Sequence, residues 1–222
     1  MEHTKIFSHV DHTLLKATAT WEEICTLCEE AITHKVASVC IPPSYVARVA
    51  EKYGDALVVC TVIGFPLGYA ETAVKVFETK EAIRAGAKEV DMVINLGDVK
   101  NGDFGKVTEE IRALKQAAGD NILKVIVETC YLTEEEKVKI CACVTGAGAD
   151  YIKTSTGFGT GGATVEDIVL FREHIGPKVK MKASGGIRTE EDMVRFIELG
   201  CDRLGTSSAV KILGGAKTDG SY

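Results

Sequence analysis

The sequence predicts one α/β domain, a (β/α)8 TIM barrel, and three observations carry that expectation. Short β-branched runs alternate with amphipathic stretches along the 222 residues, the alternation repeats eight times, and no linker, Pro/Ser-rich gap or block of like charge interrupts it. An open doubly wound sheet would also accommodate such a string. Eight evenly spaced units favour the barrel, which typically takes about 200 to 250 residues. Residues 1–214 are expected to form the catalytic barrel, with 215–222 as a flexible C-terminal tail ending in Tyr222.

In chain order, apolar β-branched runs place strands at 6–11, 37–41, 57–63, 89–94, 123–128, 150–154, 179–183 and 203–206. Helices are expected to begin near Thr20, Ser44, Ala70, Asp103, Thr133, Thr164, Thr189 and Ser207. Three of these starts are marked locally: Thr133-Glu-Glu-Glu, Thr164-Val-Glu-Asp and Thr189-Glu-Glu-Asp each set a capping hydroxyl before acids that suit a helix N-terminus. Gly86, Gly146 or Gly148, Gly176 and Gly200 are placed to end helices.

Composition narrows the function classes. A net charge of −6 with 45% hydrophobic residues describes a globular chain and argues against general affinity for nucleic acid or anionic membrane. The longest apolar run, Leu57 to Phe65, reads as a buried strand, too short for a membrane span. Met1-Glu-His-Thr-Lys has neither a basic nor an apolar leader region, so a cytoplasmic location is expected. Most of the eight cysteines sit in apolar runs and are expected to be inert buried thiols; Cys25-Thr-Leu-Cys28 has metal spacing but no second pair. His9 and His12 flank Asp11, a poor arrangement for a metal on one strand.

In a barrel the chemistry sits at the C-terminal ends of strands and in the loops that follow. The unusual residues there are two lysines, Lys153 and Lys182, on neighbouring strands. Inward-pointing and level, they would lie within roughly 6 Å. At an effective dielectric near 20 their repulsion is about 2.8 kcal/mol, which favours a free, nucleophilic amine of the Schiff-base type. Alternatively both point to water at the rim or neutralise acids such as Glu128, and Lys180 shares the parity of Lys182.

The glycines supply a second half. Fourteen of the 22 lie between Gly146 and Gly220. Ser184-Gly-Gly-Ile-Arg-Thr follows the seventh strand and Gly205-Thr-Ser-Ser the eighth, where barrel enzymes cradle phosphate; tight turns without a ligand are the alternative. Gly157-Phe-Gly-Thr-Gly-Gly162 formally matches a dinucleotide fingerprint, but it lies in the sixth unit and is followed by Lys182 where NAD binding expects an acid. A loop opened for a substrate fits better.

Residues across the chain resemble the bacterial deoxyribose-phosphate aldolases, class I aldolases built on a (β/α)8 barrel. The carrying segments include Asp11-His-Thr-Leu-Leu-Lys16, Val62-Ile-Gly-Phe-Pro-Leu-Gly68, Glu89-Val-Asp-Met-Val-Ile94, Tyr151-Ile-Lys-Thr-Ser-Thr-Gly-Phe158 and Lys182-Ala-Ser-Gly-Gly-Ile-Arg188. The resemblance implies reversible cleavage of 2-deoxy-D-ribose 5-phosphate to D-glyceraldehyde 3-phosphate and acetaldehyde. By matching position, Lys153 is the Schiff-base nucleophile, Lys182 the neighbour that eases its deprotonation, and Asp91 the general acid/base acting through water. Gly157, Gly185, Gly186, Ser207 and Ser208 match the phosphate cradle, while Thr156 and Asp11 match partners of the lysines or of substrate hydroxyls. An iminium is its own electron sink, so no metal or cofactor is expected.

Two details depart or stand open. Some relatives carry Lys where this chain has Phe158, and some use a terminal Tyr like Tyr222 to assist proton transfer. Cys40 either faces the site or packs. A homodimer is expected. Two other readings remain: a phosphate-binding lysine-dependent barrel lyase acting on a different aldehyde, and a barrel that binds a phosphorylated ligand without turnover.

Overall fold

The computed structural model describes residues 1–214; Tyr222 and the expected tail lie outside them. Eight parallel strands close in chain order: β1 Val10–Thr13, β2 Ser38–Ile41, β3 Val59–Ile63, β4 Glu89–Val93, β5 Ile122–Ile126, β6 Tyr151–Lys153, β7 Lys180–Ser184 and β8 Arg203–Thr206. Closure is made by β1 against β8, with Asp11 level with Gly205. The helices among the described residues are α1 His3–Phe7, α2 Trp21–His34, α3 Val46–Tyr53, α4 Thr72–Arg84, α5 Leu96–Lys100, α6 Phe104–Ala118, α7 Glu134–Ala147, α8 Val165–His174, α9 Glu190–Glu198 and α10 Ala209–Leu213. None of them is long and apolar enough to cross a membrane.

Local chemistry sets the boundaries. Thr133 and Thr189 each close a capping box, with Glu136 and Asp192, and Thr164 accepts from the Asp167 N–H. Thr20 does the same with Glu23. Of the glycine stops, Gly148 caps α7 at φ 76°, whereas Gly146 lies inside that helix. The first strand is shorter than expected. Ile6 and Phe7 belong to α1 and bury beneath the barrel, Phe7 stacking on His34; an apolar pair alone does not distinguish the two states.

Two environments result. The outer strand faces pack under the helices in one apolar core that includes Val39, Val90, Val125, Ile152 and Leu204. Each such side chain contributes about 1.5–3 kcal/mol of burial, so this shell holds the fold. Inside the barrel the apolar part is small: Leu15, Cys40, Cys60 and Val62, with Phe65 against them. The remaining interior is charged. Removing the hydroxyl that starts α7, by Thr133→Ala, is expected to cost about 1 kcal/mol. A lowered urea midpoint checks this, and an unchanged one contradicts the cap's contribution.

Candidate active site

Strand register brings the charges together. Inward-facing positions repeat every second residue, so Glu89 and Asp91 both project from β4, as Asp11 does from β1, Lys124 from β5, Lys153 from β6, Lys182 from β7 and Arg203 from β8. Lys153 pairs level with Lys182, Lys182 with Arg203, and Asp91 with Lys124. The two lysines singled out in the sequence therefore stand side by side at one height. Lys180 has the same parity but begins β7 at the opposite end and is exposed, so Lys182 is the lysine level with Lys153.

Asp91 joins them. Its Oδ2 accepts from Lys153 Nζ at 2.8 Å and from Lys182 Nζ at 2.8 Å. Its Oδ1 accepts from Lys124 Nζ at 2.9 Å and from the Cys60 thiol at 3.1 Å. Lys182 also reaches Asp11 at 2.5 Å, and Lys124 reaches Glu89 at 2.5 Å. Arg203 closes the lower layer, holding Asp11 at 2.6 Å and Glu89 at 2.9 Å. Asp11, Asp91, Lys124 and Lys182 are fully buried.

These contacts set the proton affinities. Burial opposes charge on Asp91, yet Lys124, Lys153 and Lys182 overcome it and hold the carboxyl well below the usual range. Asp11 is likewise driven down against burial by Lys124, Lys182 and Arg203. Burial also opposes the charge of Lys182, but Asp11 and Asp91 hold its ammonium above the usual lysine range. The bare repulsion expected between Lys153 and Lys182 is thus modified: a shared carboxylate oxygen lies between them, and Lys182 stays charged. What distinguishes the two lysines is the number of partners. Among the described residues Lys124 touches three carboxylates, Lys182 and Arg203 two each, and Lys153 only Asp91.

The other expected residues divide. Gly157, Gly185 and Gly186 all adopt positive φ, at 87°, 75° and 74°, where a side chain would be strained. Their loops interlock: Ala163 N–H donates to Ser184 and Gly185 carbonyls at 3.1 Å, and a Cβ on Gly162 would lie 2.3 Å from the Gly185 oxygen. Ser207 and Ser208 follow β8, their hydroxyls 3.4 Å apart. Thr156 is buried and bonded to Glu128. Asp11 lies beneath the lysines as their counter-charge. His9 and His12 turn away from it, His9 to the Asp202 carbonyl and His12 to Glu30 on α2.

Cys40 lies level with Cys60 inside the barrel and is fully buried. Sulfur atoms of both and an Asp91 oxygen lie within 4.8 Å of one another. As a metal site the cluster is unsuitable, because three ammonium groups already claim that carboxylate and a divalent cation would add to their charge. All eight cysteines are unpaired, and burial pushes Cys28, Cys141 and Cys201 up to about 12, as inert thiols require.

Sequence reasoning missed Lys124, Glu89 and Arg203, and also Ser155, whose hydroxyl is buried without a partner among the described residues. Lys124 carried a signal, a charge in the middle of an apolar strand at Ile-Leu-Lys124-Val-Ile, whereas Glu89 only opens its strand, two residues before Asp91.

Comparison with known proteins identifies the family. The profile of the DeoC/LacD family aldolases matches residues 5–207. A deoxyribose-phosphate aldolase of Clostridium botulinum (strain Alaska E43 / Type E3) is 62% identical over 220 residues, covering 99% of this chain and 100% of the relative. Among solved structures, QR15, an aldolase, matches with a TM-score of 0.90 at 40% identity over 94% of both chains. The deoxyribose phosphate aldolase of Aeropyrum pernix, described as tetrameric, matches with a TM-score of 0.89 at 32% identity, covering 96% of this chain and 91% of the other.

The depressed carboxyls give a signed expectation. Unfolded aspartates protonate near pH 4, so Asp11 and Asp91 contribute fully above that pH, and the contribution is lost as pH falls through their lower folded values. Denaturant stability is expected to hold to about pH 5 and to fall steeply below about pH 4. Asp11→Asn should lower stability at neutral pH, by about 3–5 kcal/mol for a broken buried pair, and flatten the acid limb. An acid limb as steep as wild type contradicts the assignment.

Proposed function

The chain belongs to the DeoC/LacD family of aldolases, and from that premise we propose that it catalyses the reversible cleavage of 2-deoxy-D-ribose 5-phosphate to D-glyceraldehyde 3-phosphate and acetaldehyde, through a Schiff base on Lys153. The observation that carries the residue assignment is the count of partners. Four cations, Lys124, Lys153, Lys182 and Arg203, face three carboxylates, Asp11, Glu89 and Asp91, in the barrel interior. Among the described residues Lys153 stands at the upper edge of this network with one ion-pair partner, Asp91, and opens toward the loops above.

The free Nζ of Lys153 adds to C1 of the open-chain sugar, and loss of water from the carbinolamine gives an iminium. The C2–C3 bond then breaks, its electron pair flowing into the iminium while the C3 hydroxyl gives up its proton. Glyceraldehyde 3-phosphate leaves and an enamine stays on Lys153. Protonation at C2 and hydrolysis release acetaldehyde and restore the amine. Asp91 Oδ2, 2.8 Å from Nζ, is placed to take and return these protons, through water where the substrate atom lies farther out. Its strong hold on negative charge suits it to pass protons on, not to keep them. Lys182 keeps positive charge beside that path.

The amides of Gly157, Gly185 and Gly186 are assigned to the phosphate, with Ser207 and Ser208 on the facing loop. Phe158 offers no charge there, so the cradle relies on N–H donors. Phe158 instead meets Phe65 edge to face, ring centroids 5.3 Å apart. We also propose a homodimer, supported by the large exposed apolar side chains Leu67, Tyr69, Val74 and Phe77. A cytoplasmic location suits eight unpaired thiols.

Borohydride reduction in the presence of acetaldehyde tests the assignment. The expected product carries one ethyl group on the Lys153 peptide, and Lys153→Ala loses both the label and the cleavage of deoxyribose 5-phosphate. Label on Lys182, or turnover surviving in Lys153→Ala, would contradict it.

A further inference from the structure

The segment from Thr154 to Thr164 has no regular secondary structure, yet it follows directly on Lys153 and must hold Gly157, four residues beyond that lysine. A side chain from the neighbouring strand end sets its shape. Glu128 follows β5, is 3% exposed, and adopts φ 53°, a left-handed conformation unfavourable for a non-glycine residue. Its backbone neighbours grip β6: Val127 N–H donates to the Lys153 carbonyl at 3.0 Å and Thr129 N–H to the Thr154 carbonyl at 3.0 Å. The strained turn between those two bonds throws the Glu128 carboxylate under the loop.

There Thr156 engages it with two donors, and the Cys130 thiol reaches Oε1 at 4.0 Å. Thr156 N–H lies 3.2 and 3.3 Å from the two carboxylate oxygens, and the Thr156 hydroxyl donates a short bond to Oε2. The same hydroxyl oxygen accepts from Phe158 N–H at 3.0 Å, so the bonds run on past Gly157. The next glycine fits the same template: a Cβ on Gly159 would meet the Glu128 carboxyl carbon at 3.1 Å. Burial pushes the Glu128 carboxyl up, with the Thr156 bonds and the Lys153 charge opposing. Keeping an acid here is therefore costly for packing alone. Neither the charge balance of the lower barrel nor the proton path through Asp91 uses it.

We propose that Glu128 is a positioning residue for the cleavage reaction: as a hydrogen-bond acceptor it fixes Thr156 and the 153–159 turn, and so sets the distance between the Lys153 amine and the Gly157 amide, which address the two ends of one substrate. This rests on the Schiff-base reading above. A phosphate at one end and an aldehyde at the other make the reaction sensitive to that spacing, since a small misplacement of a reacting group is costly in rate.

The test compares Glu128→Ala and Glu128→Gln with wild type, using kcat and KM for deoxyribose 5-phosphate, KM for unphosphorylated deoxyribose, and acetaldehyde–borohydride labelling of Lys153. With Glu128→Ala two buried donors lose their acceptor, and kcat/KM for the phosphorylated sugar is expected to fall about 10- to 100-fold. KM for that sugar should rise more than KM for the unphosphorylated one. Glu128→Gln keeps a carbonyl oxygen for both Thr156 donors and should recover kcat/KM to within about threefold, with an unchanged pH profile. A Glu128→Ala enzyme within twofold of wild type overturns the proposal, as does a Gln variant as impaired as Ala. If Glu128→Ala does not fold, Glu128→Gln decides: near-wild-type kinetics support the acceptor role and a tenfold loss overturns it. Labelling of wild-type Lys153 separates the two levels. Its absence overturns the Schiff-base reading and this proposal together, whereas its presence with an indifferent Glu128→Ala overturns only the role of Glu128.

Discussion

Charge pairing inside a closed barrel is the constraint on which the rest of this structure depends. Barrels of this kind usually fill their interior with layers of Val, Ile and Leu. Here Asp11, Glu89, Asp91, Lys124, Lys182 and Arg203 occupy those positions, and each buried charge would cost several kcal/mol if left alone. The outer apolar shell supplies the stability that allows such an interior. Within it, the strands must hold a register that places every cation against a carboxylate. The Asp91 carboxylate is the centre of that arrangement, because three lysines and one thiol all reach it.

An interior built this way has a functional consequence. Among the described residues Lys153 stands at the upper edge with one ion-pair partner. The lower layer is over-determined: Lys124 and Arg203 are each held by more than one acid, and their positions fix Asp11 and Asp91 in turn. The proposed nucleophile is thus the lysine of this network with the fewest ion-pair partners. The loops above it are shaped by a different rule. Gly157, Gly162, Gly185 and Gly186 let two backbones approach more closely than side chains would allow.

Much of this was legible in the sequence, for identifiable reasons. Short β-branched runs and capping threonines marked the barrel units. Lys153 and Lys182 stood out because each ends a strand, and glycine clustering pointed to the loops after β6, β7 and β8. What could not be read was register. Nothing local says that Lys124 is level with Asp91 or that Arg203 lies beside Lys182, so the expected repulsion between two lysines omitted the carboxylate that joins them. Lys180 and Lys182 share parity, and only the depth of β7 in the barrel separates an exposed base from a buried one. Ile6 and Phe7 misled because an apolar pair serves a short helix as well as a strand.

We propose that the fixed positive charge of Lys182, held by Asp11 and Asp91, promotes Schiff-base formation on Lys153, and replacing Lys182 with Leu removes that charge. The rate of imine formation with acetaldehyde, followed against pH, should move toward alkaline pH in Lys182→Leu, while Lys182→Arg, which keeps the charge, should stay close to wild type. A Lys182→Leu profile that coincides with wild type would contradict the claim.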